Sequence, residues 1–213
     1  MKSNNDIDID IERSQKEFWN KRFGESEYIY GKEPNAFFKS VIDGLPPGKI
    51  FIPGGGEGRD AVYAATKGWQ VTCVDMSEEG RKKALRLAIE KDCVINYEIR
   101  NINDVDFPDS SFDLIASIFF HLPTGTRTRF YQNAVRWLKP GGLFILEGFT
   151  PQQLQFASGG PKDVELLVSA EQLLSELKGL DLLKITESDK ILNEGTYHKG
   201  RASIVNYAGK KKS

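Results

Sequence analysis

Short apolar runs, each bounded by glycine, proline or charge, alternate along the chain with longer stretches in which apolar positions recur at helical spacing. Residues 49–53 (Lys-Ile-Phe-Ile-Pro) predict a first strand, and residues 57–66 a helix whose Ala61, Ala64 and Ala65 are small enough to pack closely on a sheet. Residues 69–74 predict a second strand. Ser77 predicts an N-cap for the charged, Leu- and Ala-rich helix over 78–91, because its hydroxyl can accept from an orphan amide of the first turn. Strands follow at 94–99 and 112–118, then a helix over 126–138 that Pro140, Gly141 and Gly142 prevent from continuing. A fifth strand spans 143–147, and a further helix starts near Ser169. The last two strands, about 180–187 and 201–207, have no crossover helix between them and predict an antiparallel hairpin at one sheet edge. The pattern as a whole predicts an α/β fold: a doubly wound, Rossmann-like, seven-stranded sheet, mostly parallel, ending in that hairpin.

Residues 11–45 differ in kind. Phe18, Trp19, Phe23, Tyr28, Tyr30, Phe37 and Phe38 crowd into a segment that divides into two helices near Gly31 to Pro34. The expectation is one domain over 1–213, with residues 1–45 folded as a helical lid over the top of a core at 46–209. A chain of 213 residues is long enough to bury a full core of this kind.

Composition narrows the class. Hydrophobic residues make up 39% and charged residues 28%, which is too apolar for disorder. A net charge of −1 offers no basic field for nucleic acid, and the run Lys210, Lys211, Lys212 reads as a solvated tail. Residues 1–10 lack the basic and apolar regions of a secretory signal, and no apolar run approaches the roughly 20 residues of a membrane span. Cys73, inside the second strand, is expected to be a small buried hydrophobe, and no Cys/His cluster with Cys93 has metal-ligand spacing. These features predict a cytoplasmic protein with no nucleic-acid or membrane partner. No exposed apolar helix stands out, so a monomer or weak homodimer is expected.

The sharpest local chemistry is Pro53-Gly54-Gly55-Gly56-Glu57-Gly58-Arg59, a glycine turn directly after the first strand. Such a turn brings bare backbone against a ligand, and the helix start offers amide donors. The dinucleotide fingerprint needs glycine where this chain has Arg59, which disfavours a nicotinamide cofactor. Asp75 closes the second strand 21 positions beyond Gly54 (75 − 54), where a carboxylate can grip a vicinal diol such as ribose. Asn101-Ile102-Asn103-Asp104 follows the third strand; it suits an adenine contact, and equally an Asx turn.

Together with Phe107-Pro108-Asp109-Ser110-Ser111-Phe112-Asp113-Leu114-Ile115 and Leu138-Lys139-Pro140-Gly141-Gly142, these motifs resemble the class I S-adenosylmethionine-dependent methyltransferases. Three further segments resemble the tellurite-resistance-type and thiopurine-type small-molecule enzymes: Trp19 to Phe23 with Tyr30 to Asn35, Ser117 to Pro123, and Glu147 to Gln153. The resemblance implies S-adenosyl-L-methionine as cofactor, with Gly54 and Gly56 flanking its methionine part, Asp75 on ribose, Met76, Asn101 and Ile102 on adenine, and Phe119 beneath the sulfonium. It also implies that Trp19 and Tyr30 belong to a lid over the cofactor. Two positions depart from the family pattern: Ile52 stands where an acid is common, and Asn101 where an aspartate is usual.

Methyl transfer from a sulfonium is an in-line displacement, so the protein mainly aligns the partners and excludes water. Trp19, Tyr30 and Phe119 are candidates for cation–π stabilisation, and Arg22 and Arg59 for neutralising an anionic acceptor or the cofactor carboxylate. His121, just after the fourth strand, is the candidate catalytic base, while Glu147 is read as orienting either an acceptor or the lid. The expected acceptor is a small molecule, such as a thiol or a selenium or tellurium oxyanion. The competing expectation is a non-catalytic, cofactor-binding regulatory protein.

Overall fold

Ile50, Phe51 and Ile52 show why the sheet has two covered faces. Ile50 and Ile52 join one apolar cluster while Phe51, between them, joins another, as the two-residue period of a strand requires. They belong to β1 (Lys49–Pro53), which lies inside a seven-stranded sheet. The computed structural model describes residues 4–212, with side chains from residue 12 onward.

The chain runs α1 (Asn4–Phe23), α2 (Ala36–Ile42), β1, α3 (Arg59–Thr66), β2 (Gln70–Asp75), α4 (Glu78–Glu90) and β3 (Asn96–Ile99). It continues through β4 (Phe112–Ile118), α5 (Thr124–Trp137), β5 (Leu138–Phe149), α6 (Ala170–Glu176), β6 (Leu180–Asn193) and β7 (Lys199–Lys211). Strand order is β3-β2-β1-β4-β5-β7-β6, parallel except where β7 lies antiparallel between β5 and β6. The sheet and its terminal hairpin are therefore as the residue pattern predicts. The order reverses between β1 and β4, and the carboxyl ends of the strands around that switch point are where such sheets hold ligands.

One face packs Phe38, Leu87 and Leu114 beneath α2, α3 and α4. The other packs Phe51, Phe112, Phe144 and Trp137 beneath α5 and α6. Motif residues Phe107, Phe112 and Ile115 belong to this second face: Phe107 meets Phe51, Phe112 and Trp137 edge-on, with ring centroids 4.9–5.1 Å apart.

Several boundaries differ from expectation. α3 starts at Arg59 rather than Glu57, because Gly58 takes a left-handed conformation (φ 86°) that no helix can include. α1 begins ahead of residue 11; of the expected 1–45 lid, residues 1–3 lie outside the described residues. Pro140, Gly141 and Gly142 do not form a loop between elements, since β5 starts at Leu138 directly after α5 and absorbs them in an irregular first stretch. The lysine run is not a solvated tail. Lys210 and Lys211 lie in β7, and Lys211 Nζ donates to the carbonyls of Leu138 (2.6 Å) and Arg136 (3.1 Å). β6 and β7 continue past the sheet as a two-stranded arm whose tip, residues 194–198, reaches back over the carboxyl ends of the strands toward the N-terminal segment.

Candidate active site

At the end of β1, the Gly54 and Gly55 amides both donate to the Val74 carbonyl (2.7 and 3.3 Å). Gly54 has φ 62°, and a Cβ there would sit 2.3 Å from Phe120 Cδ2. At Gly55 a Cβ would meet Cys73 Sγ at 1.8 Å, so the buried thiol fills the space behind the turn. Asp75, at the end of β2, accepts from the Gly56 amide through Oδ2 (3.0 Å) and from the Ser77 amide through Oδ1 (2.9 Å). Burial holds its carboxyl above the usual range, an effect those amides only partly offset. Two oriented oxygens with lone pairs to spare, beside a bare backbone turn, fit the diol and amino-acid ends of an adenosyl amino acid. Met76 and Ile102 are half-buried beside them. Asn101 makes the Asx turn: its side-chain oxygen accepts from the Asn103 amide (3.0 Å).

Beyond β4 the backbone turns sharply. Phe119 has φ 48°, a conformation that costs a non-glycine residue energy, and its amide is fixed to the Glu147 carbonyl at 2.7 Å. The turn brings its ring against Phe149 and His198, both with centroids at 4.6 Å. His121 stacks on Phe149 at 5.5 Å and Tyr30 packs on His198 at 4.6 Å, completing an aromatic cluster. His121 Nδ1 lies 3.2 Å from the Leu166 carbonyl and must donate to it, which leaves Nε2 as a bare lone pair. That nitrogen is the one buried side-chain polar atom without a partner among the described residues. Burial lowers the His121 pKa to about 4, so the ring is neutral near pH 7. Burial also lowers His198, and Glu194, 3.4 Å from its Nδ1, offsets part of that.

The N-terminal segment packs against this cluster through Tyr30. Trp19 stacks on buried Phe23 at 5.2 Å, and Arg22 lies over the Phe18 and Tyr197 rings while donating to the Tyr30 hydroxyl (3.3 Å). Buried Glu57 takes the Lys83 ammonium (2.8 Å) and the Tyr30 amide (3.3 Å). Arg59 donates to the Tyr30 carbonyl (3.0 Å) and pairs with Glu194 (2.9 Å). It is therefore committed to holding the lid rather than left to meet an anion. Glu147, fully buried at the end of β5, accepts from Asn35, Lys190 and Asn206 at 2.6–2.7 Å, which makes it a lid anchor. Phe149, Asn35 and Glu194 were not among the expected site residues, and His198 had no assigned place; all but Phe149 reach the site only through the hairpin arm and the lid. Among the described residues no group of acidic, His or Cys side chains suits a metal ion, and no helix is long and apolar enough to cross a membrane.

Residues 51–142 match the family profile described as a methyltransferase domain. This stretch holds the glycine turn, Asp75, Asn101 and the β4 motif. A phosphoethanolamine N-methyltransferase of Triticum aestivum is 25% identical over 169 residues, covering 79% of this chain and 31% of its own. The chain thus spans about a third of the length of the curated relatives it matches. A solved structure from the conversion of a disulfide bond into a thioacetal group during echinomycin biosynthesis superposes with a TM-score of 0.75 at 16% identity, over 92% of this chain and 91% of that one. TehB from Haemophilus influenzae gives 0.67 at 16% identity, over 92% of this chain and 67% of that one. The profile match and the fold are those of S-adenosylmethionine-dependent methyltransferases.

Proposed function

We propose that the protein methylates a small, uncharged nucleophile, an amine or a thiol, bound at the aromatic cluster of Tyr30, Phe119, His121, Phe149 and His198. One observation carries this reading: the cluster joins aromatic faces to two imidazoles held neutral by burial, and Tyr30 ties it to Glu57 and Arg59 of the glycine turn. Gly54, Gly56 and Asp75 would hold the cofactor, with Met76, Asn101 and Ile102 along its adenine. The cofactor supplies a methyl group on a sulfonium. Phe119 and Tyr30 present ring faces where a positive charge is spread during transfer, an effect worth about 0.5–2 kcal/mol. Trp19 and Arg22 order the lid that keeps water out. His121 Nε2 accepts a hydrogen bond from the acceptor's N–H or S–H and so aims its lone pair; with a pKa of about 4 it positions better than it removes a proton.

Selenium and tellurium oxyanions fit less well. Arg59 and Lys190 already pair with Glu194 and Glu147, and Arg22 is engaged by the Phe18 and Tyr197 rings and the Tyr30 hydroxyl. The relative named as a phosphoethanolamine N-methyltransferase supports nitrogen as the atom methylated, not the absence of charge elsewhere on the acceptor.

Calorimetry with S-adenosylhomocysteine tests the cofactor half: Asp75→Ala is expected to weaken binding at least about tenfold, the loss of about one charged hydrogen bond. Methyl transfer to ethanolamine, dithiothreitol, selenite and tellurite tests the acceptor half. Turnover is expected with the amine or the thiol. Turnover on tellurite alone overturns the neutral-acceptor reading, and binding without turnover on any of the four favours a regulatory protein.

A further inference from the structure

We propose that Glu194 is a positioning residue that holds the lid shut: its one carboxylate joins the lid, the core helix α3 and the hairpin arm, and breaking that joint frees residues 30–35. The proposal deepens the reading above, since the lid it closes is the roof of the proposed cofactor and acceptor site.

Glu194 stands one residue past the end of β6, at the base of the arm's tip. Its Oε1 accepts from Asn35 Nδ2 (3.1 Å), the residue whose side-chain oxygen caps α2 through the Phe38 amide. Its Oε2 accepts from Arg59 Nη2 (2.9 Å) and faces His198 Nδ1 (3.4 Å). Arg59 passes the contact on to the Tyr30 carbonyl, and Asn35 passes it on to Glu147. The arm touches the lid backbone as well, through the Tyr197 amide on the Ile29 carbonyl (3.4 Å). Gly195 makes that approach feasible: a Cβ there would sit 2.3 Å from the same carbonyl.

The way the lid is held separates fixed parts from a movable one. Phe23 and Ile29 are buried, 3% and 1% exposed, and anchor the segment by apolar packing. Tyr30 packs on the Phe23, Tyr197 and His198 rings, and residues 31–35 make mainly polar contacts. Between them and β6 lies a cavity of about 380 Å³, bordered by Tyr30, Lys32, Pro34, Arg59, Lys190 and Leu192. Apolar packing does not back the joint on that side, and hydrogen bonds lost there are replaced by bonds to water, so this stretch can open without unfolding the core. Gly31, at φ 75°, and Pro34 bound the movable loop. The charges that face the joint are Arg59 from α3, His198 from the arm, Glu147 from β5 and Lys190 from β6, with Asp60 and Tyr30 beside them. The wall formed by Tyr30 on His198 exists only while the joint is closed.

Native-state hydrogen exchange on the ligand-free protein and on Glu194→Gln tests the joint directly. Gln keeps the shape but loses the charge that Arg59 meets. The expected result is exchange at residues 30–35 faster by about tenfold, with amides of β1 and β4 unchanged. Stopped-flow fluorescence of Trp19 should show S-adenosylhomocysteine leaving faster by a similar factor, and Glu194→Asp should restore part of the difference. Exchange at 30–35 within about twofold of the parent overturns the proposal, and so does acceleration spread evenly into β4, which marks a global effect. If the parent binds no S-adenosylhomocysteine, the cofactor reading fails while the exchange result still decides the joint.

Discussion

His121 combines two properties that a histidine on the surface cannot hold together. Its Nδ1 proton is committed to the Leu166 carbonyl, and its Nε2 is buried without a partner. A proton on Nε2 would be a buried, unpaired charge, which is why burial lowers the pKa from 6.5 to about 4. The sign of the consequence follows by linkage: between about 6.5 and 4 the unfolded chain binds the proton and the folded one does not, so stability falls as pH falls through that window. Below about 4 the loss is complete, on the order of 3 kcal/mol at most for 2.5 units (6.5 − 4). His121→Phe, which keeps a ring on Phe149, is expected to flatten the drop in urea midpoint between pH about 7 and about 4.5. His198 retains a shallower drop of the same sign, and the raised carboxyls of Asp60 and Asp75 act oppositely in both proteins, so the difference between parent and variant isolates His121. Parallel curves would show that His121 protonates freely in the folded state.

At the scale of elements, Lys211 illustrates how a residue's role depends on where its strand ends. Its ammonium takes the Leu138 carbonyl and shares the Arg136 carbonyl with the Ser110 amide, where α5 gives way to β5. Lys211→Met is expected to cost about 1–2 kcal/mol in urea denaturation, while Lys210→Met, at an exposed neighbouring position, stays within about 0.5 kcal/mol. Equal effects of the two substitutions would reject this cap. The lysine run carries no local sign of it, because nothing in three consecutive lysines says that a strand continues through them. β1 and β4 were legible to the residue, since each is a short apolar run with turn residues at both ends. β6 was cut short at 187 because Ser188, Asp189 and Lys190 interrupt its apolar pattern and only Leu192 is buried beyond them, although it pairs with β7 as far as Asn193. The glycine turn and Asp75 were legible for a different reason: their geometry is local and each residue type is nearly forced. The aromatic cluster with its lid was only half legible. Phe119 and His121 follow β4 directly, whereas His198, Glu194 and Asn35 come from segments joined only by the fold, as with the 159 positions that separate Asn35 from Glu194.

Across the whole molecule, a single buried carboxylate ties together pieces that the sheet alone would leave apart. Glu147 sits on β5 opposite Asn206 of β7, takes Lys190 from β6, and takes Asn35 from the lid. Its side chain is 0% exposed and that of Lys190 is 27% exposed, so the carboxylate bears nearly all the desolvation and the ammonium keeps some water. The pair is therefore weak evidence for net stability yet strong evidence for mutual dependence. Glu147→Leu is expected to cost about 3–5 kcal/mol, because Lys190, Asn35 and Asn206 lose their acceptor at once. Lys190→Met costs less, since two amides still satisfy the carboxylate. The double variant is expected to fall short of the sum of the two by about 1–3 kcal/mol, as the second substitution removes a charge already stranded by the first. A double-mutant cycle in urea measures this shortfall, and hydrogen exchange at residues 30–35 in the Glu147 variant reads its effect on the lid. Strict additivity, with lid exchange unaltered, would mean that the sheet edge and the lid are held independently and that Glu147 does not couple them.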